Sequence, residues 1–319
     1  MFLNAILPNA IALSAVFIFG CVGEIIMEKT GHLNLGIPGV MCFGTLGGCL
    51  GVSIIMPIFD GDAPWILVIL FAIVFSVLLS AISGIIYAFL TVTLKCNQNV
   101  TGLALTTFGG GIVDFFMAGM DKTYFTPASR IVKAHLPVDA LGAFGKIFLG
   151  HGILVYIAII VAIVAFVVLK RTKLGLSLRA IGENPATADA AGINVSAYKY
   201  GAILSGSCIA GLGGLFYVLD YVSGSWENCA TIQAFGWLAI ALVIFVVWNP
   251  AIAIGGSIIF GILYIAPSFI TGFGFVEKKI FELIPFIIPI IVLVVTSVVG
   301  KRGVQAPSAL GLSYFREDR

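Results

Sequence analysis

Charge is scarce in this chain. Asp, Glu, Lys and Arg make up 10 % of its 319 residues and hydrophobic residues 60 %, against about a quarter charged and roughly half apolar in soluble domains. With a mean hydropathy of +1.13, a water-soluble globular protein is excluded, and no nucleic-acid partner is expected. No G-x-x-x-x-G-K-[ST] phosphate loop occurs, so any ATP hydrolysis has to come from another chain. His32, His135 and His151 are scattered away from the centres of the apolar runs, without H-E-x-x-H spacing, which argues against an intramembrane enzyme. Neither metal nor cofactor is expected.

Other absences narrow the class further. The six cysteines form no C-x-x-C pair and no disulfide framework: Cys21, Cys42, Cys49, Cys96 and Cys208 fall in or at the ends of apolar runs, and only Cys229 in an outer loop. Acids and bases are not spread along the centres of the runs, which argues against a proton relay or ion-coupled carrier and suits an uncharged, hydrogen-bonding cargo. An ATP-independent transporter or channel is the rival class. No basic residue precedes the first run and no A-x-A-like site follows it, so it is not read as a removable signal peptide.

What the chain does have is about nine apolar runs: 8–27, 37–58, 64–94, 100–119, 149–169, 201–221, 232–248, 251–270 and 282–300. Each approaches the roughly 20 residues that a helix needs to cross a bilayer. The runs are continuous, not alternating, so helices and not a barrel satisfy the backbone. The expected fold is all-α, a polytopic membrane bundle in one transmembrane domain over residues 1–319. Placing 170–200 in the cytoplasm puts Lys29, Lys95, Lys170, Arg171, Lys173, Arg179, Lys199, Lys301, Arg302, Arg316 and Arg319 inside. Lys122, Arg130, Lys133, Lys146, Lys278 and Lys279 are then outside, a split of eleven to six that sets the N-terminus outside and the C-terminus in the cytoplasm.

Two loops are long enough for structure of their own, 120–148 outside, broken by Pro127 and Pro137, and 170–200 inside. Small residues four apart, Gly44/Gly48, Gly47/Gly51, Gly206/Ala210 and Ala210/Gly214, predict close helix packing in lipid. The glycine-rich stretches 44–51 and 206–215 are weakly alike, as in the internal repeats of transporters.

In the inner loop, Asn184 followed by Pro185 reads as an N-cap with proline at the first helical position, Ala186, Ala188, Ala190 and Ala191 favour helix, and Gly192 suits the residue after the C-cap. A two-turn helix over 185–191 is too short to stand alone in water and has to pack on this protein's own surface or on a partner. Polar groups at membrane depth need a partner, a watery cavity or a function. Asn34, Asn97, Gln98, Asn99 and Thr101, next to Gly31, Gly36, Pro38, Gly39 and Gly102, mark interrupted helices and a candidate substrate pathway. Phe108, with Phe115, Phe116 and Trp237, is a candidate for stacking on a planar ring of the cargo. Glu24 lies near the inner end of its run, within reach of interfacial water, and Asp114 and Asp220 near outer ends.

The run LGLSLRAIGENPATADAAGINV (174–195) resembles the cytoplasmic coupling loop of ABC importer permeases of the simple-sugar, nucleoside and branched-chain amino-acid branch, and is most like the nucleoside type. EKTGHLNLGIPG (28–39) and NQNVTGLAL (97–105) resemble two further segments of that family, in the same order. The resemblance implies two permease subunits, the second a copy or, as the short N-terminus favours, a paralogue, two ATP-binding subunits below, and an extracytoplasmic substrate-binding lipoprotein above, in a bacterial cytoplasmic membrane. It implies that the 185–191 helix seats in a cleft of the ATP-binding subunit through Asn184, Pro185, Ala186, Ala188, Asp189, Ala190 and Gly192, with Arg179 and Glu183 at the rim. The implied cargo is a nucleoside, with simple sugars and riboflavin as alternatives.

Overall fold

The computed structural model describes residues 2–133, 142, 145–269, 274–281, 283–299 and 306–315. His135, Pro137, Lys301, Arg302, Arg316 and Arg319 lie outside the described residues. Every regular element among the described residues is a helix: α1 (Phe2–Glu28), α2 (Ile37–Ile55), α3 (Trp65–Ala88), α4 (Gln98–Gly119), α5 (Phe125–Val132), α6 (Ile153–Arg171), α7 (Lys173–Glu183), α8 (Pro185–Ala190), α9 (Val195–Phe216), α10 (Ala230–Phe245), α11 (Pro250–Phe269), α12 (Phe275–Phe281) and α13 (Ile284–Val299).

Among the described residues, seven of the nine expected runs become helices long and apolar enough to cross a membrane. The other two, α10 and α13, have 16 residues each, about 24 Å of helix against a hydrocarbon core of roughly 30 Å. For α10 the cause is visible: Val247 and Trp248, still inside the apolar run, take left-handed backbone with φ of 55° and 53°, which ends the helix early. Elsewhere local capping moves the boundaries. Asn194 accepts the Ala197 N–H at 3.1 Å and starts α9 earlier than the run at 201, while α6 waits until after Gly152.

Hydrophobicity all round makes a helix buried or lipid-facing, and the bundle sorts its helices accordingly. α1, α2 and α9 are mostly enclosed, whereas α3 is 28 % buried and turns Leu70, Val74, Leu78, Ile82 and Ile85 outward. The inner three meet through small residues, Gly44 and Gly206 among those expected to do so, while the expected Gly47 and Gly51 pack on the backbone of α3 instead. A Cβ on Gly206 would lie 2.5 Å from the Gly23 carbonyl of α1, and Gly44 of α2 abuts Gly211 of α9 backbone to backbone. Phe17, Phe216, Phe260 and Tyr87 fill the core around this contact.

One end of the bundle gathers the segment 29–36, the start of α4, the pair α7 and α8, the start of α9, Trp248 and the chain at 306–315. The Ala309 N–H donates to Gly182 O at 2.9 Å and the Gly311 N–H to Gly31 O at 3.0 Å, lacing this C-terminal stretch across the end. At the opposite end, Lys133 donates to Ser223 at 2.8 Å and Gly224 packs on Phe125.

Candidate functional site

α8 forms as its sequence writes it. The Asn184 side chain accepts the Thr187 N–H at 3.0 Å, Pro185 occupies the first turn, and the helix closes at Ala190, with Gly192 at φ +83°. The six-residue rod lies on the chain's own surface: Ala188 is buried against Ile181 of α7 and Val195 of α9, flanked by Ile193, Tyr198 and Tyr314. Its opposite face presents Asn184, Thr187, Ala190, Ala191 and Gly192 to the outside, all small or short. α7 braces it. Thr172 caps α7 by accepting the Gly175 N–H at 3.1 Å, and Gly175 lies against the backbone of Val168 and Leu169.

The two charges singled out from the sequence differ in setting. Arg179 is exposed and its Nε reaches only the Gly175 carbonyl of its own helix, at 3.4 Å. Glu183 accepts the Ser308 hydroxyl at 2.8 Å, and Asp189 accepts the Tyr314 hydroxyl at 2.9 Å. The stretch 306–315 thus ties down both ends of the α8 region, which sequence reasoning missed, since nothing local marks that tail as structured. Burial holds the Lys29 ammonium below its usual pKa, with the nearby Glu183 opposing the shift.

The segment 29–36 is clamped from three helices by four hydrogen bonds. Asn34 N–H donates to Glu24 of α1 at 2.8 Å, Tyr87 of α3 donates to Leu33 O at 2.8 Å, Gln98 of α4 accepts the Leu33 N–H at 2.9 Å, and Thr106 donates to Leu35 O at 2.9 Å. Glu24, expected near interfacial water, is fully buried because it serves this clamp; Glu28, one turn on, accepts the Trp248 indole N–H. Asn34 itself is enclosed: its side-chain oxygen accepts the Gly36 N–H at 2.9 Å. Gly39 lets α2 meet the backbone of α4, since a Cβ there would lie 2.5 Å from the Leu105 carbonyl, and Gly102 lets α4 meet the clamped segment, 2.8 Å from the Leu35 and Gly36 nitrogens.

The structure therefore divides the expected pathway residues. Asn34 and Gln98 face inward, while Asn97, which caps α4 by accepting the Val100 N–H at 3.1 Å, Asn99 and Phe108 face outward, with Thr101 half-buried. Asn99, Leu103, Thr107, Phe108, Gly111 and Phe115 lie on one open face of α4, with Phe108 59 % exposed. Asp114 accepts the Cys229 N–H at 2.9 Å and so anchors the start of α10. Asp220 is buried beside Gly152. Away from the clamp, Tyr217, Tyr264 and Phe17 each pack edge-to-face on Phe235, with centroids 5.1–5.5 Å away. These residues come from four separate segments, which the sequence could not bring together.

His32 sits in the clamped segment, 1 % exposed, and burial, helped by Lys199, pushes its pKa down to about 3 from the usual 6.5. The imidazole is neutral in the folded chain. As pH falls below 6.5 an unfolded His32 takes up a proton that the folded one refuses down to about 3, so stability drops by at most about 1.4 kcal/mol per pH unit across that window. Melting of the purified chain in phosphate-free buffer is expected to fall more steeply between pH 6.5 and 4.5 for wild type than for His32→Gln; parallel curves would contradict it.

The family model described as branched-chain amino acid transport system / permease component matches residues 6–293. The chain is 30 % identical over 320 residues to the nucleoside ABC transporter permease protein NupC of Lactococcus lactis subsp. cremoris, covering 98 % of each. It is 27 % identical over 337 residues to the guanosine ABC transporter permease protein NupQ of Bacillus subtilis, covering 99 % of this chain and 98 % of the relative. It is 31 % identical over 269 residues to the putative glucose ABC transporter permease protein TsgC13 of Haloferax volcanii, covering 82 % and 76 %. No solved structure matches the chain.

Proposed function

The chain belongs to the branched-chain amino acid transport system / permease component family, whose members are non-catalytic, membrane-spanning subunits, and from that premise we propose that it imports nucleosides in an ATP-driven complex. The observation that carries the reading is α8, a capped six-residue rod with a low, small-residue outer face, at the end of the bundle that collects Lys29, Lys95, Arg179 and Lys199. An excess of Lys and Arg marks the cytoplasmic side. There an ATP-binding subunit grips α8 through Asn184, Pro185, Ala186, Ala190 and Gly192, with Arg179 and Glu183 at the rim and Ala188 and Asp189 holding the rod to the bundle.

Cargo passes along the open face of α4, past Asn97, Asn99, Thr101 and Phe108, while Asn34 and Gln98 hold the clamped segment that shapes its inner end. A second, paralogous permease subunit closes the pathway, and a substrate-binding lipoprotein delivers nucleoside outside. The nucleoside reading rests on likeness to NupC and NupQ over at least 98 % of each chain. The glucose-named relative favours a sugar as the second reading, over a smaller share.

Proteoliposomes holding this chain, its permease partner, the ATP-binding subunit and the lipoprotein are expected to take up uridine or guanosine only with ATP. Uptake without ATP, or of glucose in preference, overturns the proposal. Stacking of a base on an aromatic ring is worth about 1–3 kcal/mol, so Phe108→Ala is expected to raise the KM for nucleoside about tenfold with assembly unchanged. An unaltered KM removes Phe108 from the pathway.

A further inference from the structure

A polar cavity of about 360 Å³ opens at the clamped end of the bundle, between α8, the start of α9, the end of α3 and the C-terminal stretch. Its chemistry is cationic and donor-rich. Lys199 lines it at 4 % exposure, Lys95 lines it from the turn before α4, and His32 is buried beside them with neither ring nitrogen hydrogen-bonded among the described residues. A neutral imidazole carries one donor, and a donor left unpaired in a buried site costs about 1–3 kcal/mol. The first turn of the 22-residue α9, at Val195 and Ser196, also borders the space. Helix starts leave backbone N–H groups without intrahelical partners and carry a positive dipole end. Asp189, the one acid on the wall among the described residues, accepts the Tyr314 hydroxyl.

We propose that this cavity binds the phosphate group of a small phosphorylated ligand, held by Lys199, Lys95, His32 and the start of α9 and roofed by Tyr314. A neutral cargo has no use for two ammonium groups. The volume exceeds what a bare oxyanion fills and leaves room for the organic part of a phosphomonoester or for a lipid headgroup, and the two share the same phosphate chemistry. Because Asp189 of α8 and Tyr314 of the tail form part of the wall, occupancy stiffens α8 against the bundle. The proposal concerns binding and stands whether or not the nucleoside reading does.

The test uses the full chain in phosphatidylcholine nanodiscs, with melting temperature followed against inorganic phosphate, ribose 5-phosphate and ribose. Saturable stabilisation by the two phosphates and none by ribose is expected, with apparent Kd weakened about tenfold or more in Lys199→Gln, since a hydrogen bond to a charged group is lost. Lys95→Gln, at a more accessible position, carries the same comparison should Lys199→Gln fail to fold. Stabilisation seen only when phosphatidic acid is added to the discs identifies a lipid headgroup as the source of the phosphate. No stabilisation by phosphate, ribose 5-phosphate or phosphatidic acid overturns the proposal, as does equal stabilisation of wild type and the folded variants.

Discussion

Replacing Asn184 and Pro185 together by glycine is expected to abolish ATP-driven uptake while the chain still inserts and assembles. The Asn184 side chain is the acceptor for the Thr187 N–H, and glycine in its place costs a few tenths of a kcal/mol. Exchanging the proline of the first turn for glycine frees the unfolded segment by about 1–2 kcal/mol more, since it gives up proline's restriction and adds glycine's freedom. Six residues form a helix shorter than any that is stable alone, and its one fully buried side chain is Ala188, which contributes little apolar area. A shift of about 2 kcal/mol moves the ordered fraction about thirtyfold, enough to turn a rod into a loop. A loop cannot transmit the movement of a partner's cleft. Uptake and ATP hydrolysis measured on the co-purified complex check this: uptake should fall at least tenfold while basal hydrolysis persists. Wild-type uptake would remove α8 from the coupling path.

That rod was legible because everything that makes it is local: the cap, the proline, the alanines and Gly192 all fall within nine consecutive positions, 184–192. The apolar runs were legible for a different reason, since lipid forces each backbone to satisfy itself. The early end of α10 was not, because two left-handed residues inside an apolar run leave no mark in hydropathy. Polarity at membrane depth flagged Asn34 and Asn99 alike, yet one is turned in to bond Gly36 and the other faces out on α4. Telling them apart needs the partners of the 29–36 segment, Tyr87, Gln98 and Thr106, which come from helices far along the chain. The cavity under Tyr314 was invisible for the same reason: His32, Lys95, Lys199 and the tail meet only in the fold.

The second large effect concerns the contact on which the inner three helices depend. In lipid the apolar effect does not press helices together, so close backbone approach and packing have to do so. At Gly206 the space for a side chain is taken by the Gly23 carbonyl and the Met27 side chain of α1, 2.5–3.0 Å from where a Cβ would sit. A carbonyl cannot rotate away as a side-chain tip can, so α1 and α9 would have to separate. Overpacking of this kind costs typically about 1–3 kcal/mol where side chains can adjust, and more where the obstacle is backbone. Gly206→Leu is therefore expected to remove most of the monodisperse protein recovered in detergent. Gly201, five residues earlier on the same helix, has nothing within 4 Å of its Cβ position, and Gly201→Leu should be recovered like wild type. The pair separates helix propensity from contact: leucine improves propensity at both sites, so only the contact can make their outcomes diverge. Equal recovery of the two variants on size exclusion would mean that α1 and α9 do not meet at Gly23 and Gly206.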